Sequence, residues 1–239
     1  MRSITEHVIP KYFFTSEKYF YFIVLHVNTV ICIGGTTLVA TGMMLVAYLK
    51  HVCGIFKIVS YRIEKAMRIN MQENVSLKDE LIIYKEIIYA VDIHRKAIKF
   101  SEFILSSFQG SHFCLIMVGV VCLSLNLYGI SVTASLGNDI EQCLVHLTIV
   151  SIIFIYMFLA NYAGQEVIDH NDNVYSTAYN IRWYVAPLHV QRLILFLLQR
   201  GSKAVSLNLG GMFVMSLELF ATLTKASISY FTVVYSMQQ

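Results

Sequence analysis

LELFATLTKASISYFTVVYSMQQ, residues 217–239, reads as a membrane helix with charges set into it. Glu218, Thr222, Lys225, Ser229, Thr232 and Ser236 follow one another at spacings of 4, 3, 4, 3 and 4. That rhythm places all six on one face of a single helix. Leu219, Leu223, Ile228, Phe231 and Val234 fall on the other face. A polar seam along a membrane helix must meet protein or water, because lipid cannot satisfy it. Periodicity alone leaves two readings open. The seam is a packing surface, where small hydroxyl residues let helices approach and bond, or it is the wall of an aqueous pore. Glu218 and Lys225 stand two turns apart, about 10 Å along the axis, too far to pair within an ideal helix. Snorkelling of either charge to the interface is the plain alternative.

The rest of the chain has the composition such a helix needs. Of its 239 residues, 56% are hydrophobic and 14% are charged, where a soluble domain carries about 25% charged residues. Mean hydropathy is +0.61. Four runs are almost free of charge: 19–49, 103–138, 142–165, and 204 to the end, the last broken only by Glu218 and Lys225. Each exceeds the ~20 residues that cross a bilayer as a helix. The expected fold is therefore all-α, a polytopic membrane helix bundle with four transmembrane helices near 22–48, 111–134, 143–163 and 208–236.

Charge in the connections sets the orientation. The segment 50–102 holds ten Lys/Arg residues, 164–207 holds four, and neither 135–142 nor the tail after Lys225 holds any. Positive connections stay in the cytoplasm, so both ends of the chain are expected outside. Residues 1–21 then form an outer segment, and 22–163 hold three spans with a cytoplasmic helical loop at 50–108. Residues 164–205 form a cytoplasmic linker with an amphipathic helix at 187–200, and 206–239 the last span. In 81–108, Leu81, Ile82, Ile88, Val91, Ile98, Glu102 and Leu105 recur at helical spacing, so this helix should run on into the second span. Residues 50–69 look like a similar extension of the first. Pro187 and Gly201 bracket the amphipathic helix; resting on the lipid surface is its alternative placement.

No enzyme reading survives. The chain has no phosphate-binding glycine loop and no HExxH, and Asp169 and His170 have no nucleophile placed beside them. The five cysteines have no metal-ligand spacing and read as small hydrophobes. No cofactor, no metal and no nucleic-acid partner is expected; membrane lipid is. His26 lies inside the first span, as a polar group bonded in the bundle or as a ligand contact. Seven aromatics from Tyr12 to Phe22 suit an interfacial belt, or the mouth of a hydrophobic pocket.

Several blocks together resemble insect odorant receptors, of the kind expanded in ants, bees and wasps. SLELFATLTKASISYFTVVYS is similar to that family's last membrane helix. EKYFYFIVLH with HVCGIFKIVSYRIE resembles its fourth span and extension. YKEIIYAVDIHRKAIKFSEFILSSF resembles the entry to the fifth, and AGQEVIDHNDNVYSTAYNIRWY the end of the sixth. The resemblance covers nearly the whole chain, with the blocks in the family's order. It implies seven spans, of which the first three precede Met1, and a cytoplasmic N-terminus with an outer C-terminus. It implies heterotetrameric cation channels, in which an odorant-binding subunit joins a co-receptor in the plasma membrane of olfactory sensory neurons. The last helix would divide into a cytoplasmic part near 187–201 and a pore part near 206–236. Ser229, Thr232, Val233 and Ser236 would line the pore, above the polar seam residues Glu218, Thr222 and Lys225. Ser236 stands where co-receptors carry Gln, which favours an odorant-tuned subunit. Tyr21, Leu25, Asn28, Val145 and Ile149 would contribute to a site for a small hydrophobic odorant.

Three rivals remain at this level. A chain without the first spans could be a non-signalling assembly module. A gustatory-receptor-like subunit would share the final helix. A secondary transporter would need internal repeats, and none is visible.

Overall fold

Helix accounts for almost all of the computed structural model, which describes residues 20–70, 76–136, 140–201, 208–209 and 213–237. In order they are α1 (Phe20–Asn70), α2 (Leu77–Leu136), α3 (Ile140–Asn180), a 3-10 turn (Trp183–Val185), α4 (Leu188–Gly201) and α5 (Leu217–Ser236). Between α4 and α5, Asn208–Leu209 and Phe213–Val214 pair as antiparallel two-residue strands. At 1.5 Å per residue, the 60 residues of α2 reach about 90 Å. That is about three times the hydrocarbon thickness.

The three long helices each have two halves of different character. In the first, residues are packed. Leu49, Val52, Phe56, Val59 and Ile63 of α1 meet Ile83, Ile87, Ala90 and Ala97 of α2 and Val167, Val174 and Ala178 of α3 in one buried core. Val190, Ile194 and Leu197 of α4 close it. In the other half, the side chains are apolar but exposed, among them Val30, Ile31, Ile33, Val121, Ile152 and Ile155. Among the described residues, α1, α2 and α3 are long and apolar enough to cross a membrane. An exposed apolar half is what lipid, or a partner helix in lipid, requires. The 20 residues of α5 have spanning length, with Glu218 and Lys225 diluting its hydropathy.

The expected helical continuations are present: α1 runs unbroken through 50–69, and α2 from 77 through the apolar run. Two boundaries and one buried face differ. First, α3 does not end near 163 but continues to Asn180, where a linker was expected. Its packed stripe is Val167, Asn171, Val174 and Ala178, at spacings of 4, 3 and 4, and that stripe carries the helix through a polar sequence. Second, the last helix begins at Leu217, not near 208. Ser216, extended at φ −153° and ψ 165°, caps it by accepting from the Leu219 N–H. Serine is among the best N-cap residues. Third, the buried edge of α2 only partly follows the apolar spacing: Ile98 and Leu105 are buried and Val91 packs on the core. Leu81, Ile82 and Ile88 are exposed, and Ile83, Ile87, Ala90, His94, Ala97 and Ser101 are inside. Residues 1–19 of the expected outer segment lie outside the described residues.

Polar groups fasten the packed half at its rim. The Arg62 Nη1 donates to Glu86 Oε2 at 2.6 Å, and its guanidinium lies 4.4 Å from the centre of the Tyr89 ring. At the start of α2, Asp79 accepts from the Ser76 N–H and hydroxyl, and its own N–H donates back to the Ser76 oxygen. This reciprocal cap satisfies donors the helix start leaves open, and the Ser76 hydroxyl holds the Asp79 carboxyl below its ordinary range.

Candidate functional site

The two faces of α5 differ as the seam's spacing requires. Glu218, Thr222, Lys225, Ser229, Thr232 and Ser236 are all exposed on this chain. Leu219, Leu223 and Ser227 are buried against α2 and α3. Phe231 and Val234 are partly buried, while Ile228, expected with them, is 49% exposed. The hydroxyls of Thr222, Thr232 and Ser236 donate to carbonyls three or four residues back. Their local bonds satisfy each O–H, and the oxygens keep lone pairs for an outside donor or water. Val233 is 52% exposed beside the seam. The chain's own packing therefore does not consume this stripe.

The opposite face of α5 is seated by specific contacts. The Ser227 hydroxyl donates to the Leu223 carbonyl, and its own carbonyl accepts from the Ser124 hydroxyl of α2 at 3.0 Å. Phe220 stands 4.9 Å from Phe154 and 5.5 Å from Phe158, ring centre to ring centre, both edge-on. These are favourable aromatic geometries.

The five residues expected to contribute to an odorant site are spread along exposed stretches near the N-terminal ends of two helices. Tyr21, Leu25 and Asn28 lie on α1, Val145 and Ile149 on α3, and all five are exposed. His26 is exposed as well. The cavity between α1 and α3 lies deeper. It measures about 270 Å³ and is lined by Val39, Gly42 and Val46 of α1, His112 of α2, and Ile155 and Tyr156 of α3. None of the five expected residues lines it. A second chamber, about 30 Å³, adjoins it and shares His112, Tyr156 and Ala160. The chamber also meets Asn161, and reaches Met215 and Leu223 at the start of α5.

His112 and Asn161 were not singled out by sequence. The signal that marked His26, an ionisable group inside an apolar run, applies equally to His112 in SHFCLIM. Asn161 lies 49 residues away on another helix, and no local pattern joins the two.

In the packed half, α4 has a second apolar face. Leu188 and Phe196 are 72% and 62% exposed, and Leu195 is open too. Val190, Ile194 and Leu197 are buried in the core, which places α4 in the bundle by its other side.

A family model described as "7tm Odorant receptor" matches residues 2–228. Among curated proteins, the odorant receptor coreceptors of Aedes aegypti and Drosophila melanogaster are each 22% identical over 172 residues. Each alignment takes 67% of this chain, against 33% and 32% of theirs. The ant Harpegnathos saltator coreceptor is also 22% identical, over 163 residues. Among solved structures, the olfactory receptor OR5 of Machilis hrabei in complex with eugenol superposes with a TM-score of 0.80 at 16% identity. It covers 96% of this chain and 56% of that one. The fold is thus shared, while the chain spans about a third of the length of the curated relatives.

Proposed function

Because this chain belongs to the 7tm odorant receptor family, we propose that it is a receptor subunit, not an enzyme, working in a heteromeric ligand-gated cation channel. In this reading it joins a co-receptor as a heterotetramer in the plasma membrane of olfactory sensory neurons and responds to a small volatile or hydrocarbon ligand. The carrying observation is the seam of α5. Six polar residues stand exposed along a membrane-length helix whose other face is already packed. Lipid is a poor neighbour for them, and water at a shared axis is a good one. Ser229, Thr232, Val233 and Ser236 line the pore, with Glu218, Thr222 and Lys225 nearer its inner end. The C-terminus is extracellular, and the packed half lies in the cytoplasm.

Two further features support assembly. The curated relatives are coreceptors by name, and the exposed Leu188, Leu195 and Phe196 of α4 offer an apolar face for a neighbouring subunit. The outer residues Tyr21, Leu25, Asn28, Val145 and Ile149 contribute to the odorant site, as one wall of it. A solved member of the fold carries the small aromatic eugenol, which suits a hydrophobic ligand here.

The test is co-expression of the receptor containing this chain with a co-receptor, recording odorant-evoked current. Ser236→Lys and Val233→Lys should shift the reversal potential and cut cation current several-fold. Current with unaltered permeation in both variants would reduce the seam to packing. Co-purification with no current under any odorant would leave an assembly module in its place.

A further inference from the structure

Two residues that line the chamber each carry a buried polar atom without a partner. His112 is 7% exposed and its Nε2 has no hydrogen-bond partner. Asn161 is 5% exposed; its Nδ2 donates to the Met157 carbonyl at 2.9 Å, but its Oδ1 is unpartnered. Both residues line the same 30 Å³ chamber. Buried polar atoms are bonded in the great majority of cases, so an unbonded pair on one small space marks an absent third party. The space admits a water or a single polar group of a ligand, not a whole ligand.

The adjoining cavity supplies room for the rest of one. Its 270 Å³ lie mostly between apolar side chains of α1 and α3, with His112 and Tyr156 completing the wall, just below the ~300–1,000 Å³ usual for small-molecule pockets. His112, Tyr156 and Ala160 line both spaces. We propose that they form one ligand site for a small apolar alcohol, its hydroxyl in the chamber and its hydrocarbon body in the cavity. An amide oxygen only accepts, whereas an imidazole nitrogen accepts or donates. A hydroxyl that donates to Asn161 Oδ1 and accepts from His112 Nε2–H satisfies both. An ether or a ketone can only accept, and leaves Asn161 unpaired. A carboxylate would set its charge against the amide oxygen.

This site is separate from the outer residues named above. Leu25 and Gly42 are about 25 Å apart along α1 at 1.5 Å per residue. The chamber's walls come from α2, α3, Met215 and α5. An occupant therefore touches the base of the seam-bearing helix. The proposal does not depend on channel activity.

Photolabelling of the purified chain in nanodiscs tests it, using a diazirine-bearing octanol and the methyl ether of the same probe. The alcohol should label peptides covering 39–46 and 152–160, and the ether about ten-fold less, the loss expected for one buried hydrogen bond left unmade. H112L and N161L should bring the alcohol down to the ether's level. His112→Gln, which keeps a donor, should retain the preference, and Ala160→Phe should exclude both probes. Melting of each variant shows that the bundle is intact. Equal labelling by both probes means the chamber holds ordered water only and overturns the proposal. Labelling confined to peptides around 21–28 and 145–149 overturns it too. A failed odorant current bears on the preceding reading and leaves this one standing.

Discussion

The Ser124 hydroxyl lies 3.0 Å from the backbone carbonyl of Ser227, joining α2 to α5 across 103 residues of sequence. Both residues are buried, Ser227 completely. A small residue here lets the two helices approach, and the bond fixes their register. Ser227→Leu forces extra volume into this contact and should cost about 1–3 kcal/mol. Ser124→Ala removes a hydroxyl shared between this carbonyl and that of Val120 in its own helix, at 2.8 Å, and should cost at most about 1 kcal/mol. Thermal melting of the purified chain in detergent distinguishes them. A Ser227→Leu protein as stable as the native one would mean α5 is not held at this point.

Gly164 makes a second close approach, where α3 passes the residue before the cap of α5. A Cβ built there would stand 2.5 Å from the Met215 carbonyl oxygen and 2.6 Å from the Met215 Cβ. One of those neighbours is backbone and cannot swing aside. Gly164→Ala should therefore destabilise by about 1–3 kcal/mol despite alanine's better helix propensity. Gly34→Ala is the control. Nothing lies within 4 Å of a Cβ at Gly34, so the propensity term, up to about 1 kcal/mol, should act alone and stabilise. Opposite signs in a paired melting experiment are the expected result. Equal signs would show that the Met215 contact yields.

How much of this was readable in the chain follows from what each feature depends on. The long helices were legible because hydrocarbon length and charge placement are properties of single segments. The seam was legible because alternating spacings of 4 and 3 define one helix face. The extension of α3 was not foreseen, though Val167, Asn171, Val174 and Ala178 keep helical spacing. A buried Asn in the middle of the stripe disguised it. Asn171 is tolerated inside because its Oδ1 bonds the His94 ring, 77 residues earlier. The exposed Leu81, Ile82 and Ile88 misled in the opposite direction, since a helix offering two apolar faces does not say which one its own chain covers. The chamber was invisible for the same reason as Asn171: His112 and Asn161 become neighbours only when α2 and α3 pack.

Where the apolar half of α1 gives way to the packed half, Lys50 pairs with Glu166 of α3, and its ammonium lies 5.7 Å from the centre of the Tyr162 ring. The Lys50 side chain is 51% exposed and that of Glu166 only 22%. The Glu166 hydrogen bond raises the Lys50 pKa above its ordinary value. Removing the two partners should therefore not be equivalent. Lys50→Met strands a carboxylate that is mostly covered, while Glu166→Gln leaves a lysine that reaches water. Half-exposed pairs contribute about 0.2–1 kcal/mol. Lys50→Met should exceed that and Glu166→Gln should stay within it. The double variant K50M/E166L should recover most of the loss, because an apolar pair carries no stranded charge. A double-mutant cycle by thermal melting checks the coupling, and strict additivity would count against the pair.

His94 gives the packed half a dependence on pH. Its ring is buried between Phe56, at 5.5 Å, and Tyr175, also at 5.5 Å, and bonds Asn171 at 3.1 Å. Burial lowers its pKa below the ordinary 6.5; the Asn171 bond opposes this, and the charge of Arg200 adds to it. The unfolded chain then takes up the proton first as pH falls. Stability is complete above about 6.5 and declines below it, by at most about 1.4 kcal/mol per pH unit, until the folded ring also titrates. Tyr175 acts at the other end. Burial pushes its phenol to about 12, so the unfolded chain loses that proton first, and stability declines as pH rises past the ordinary value of 10. Burial likewise pushes the Cys53 thiol of the same core up to about 11, above its ordinary 9.0, so the alkaline decline begins with that group, and melting temperature should form a plateau between roughly pH 7 and 9. His94→Gln should flatten the acid limb and leave the alkaline one, and Tyr175→Phe should shrink the alkaline limb, leaving the part due to Cys53, without touching the acid one. An acid limb unchanged in His94→Gln would assign the loss to other groups.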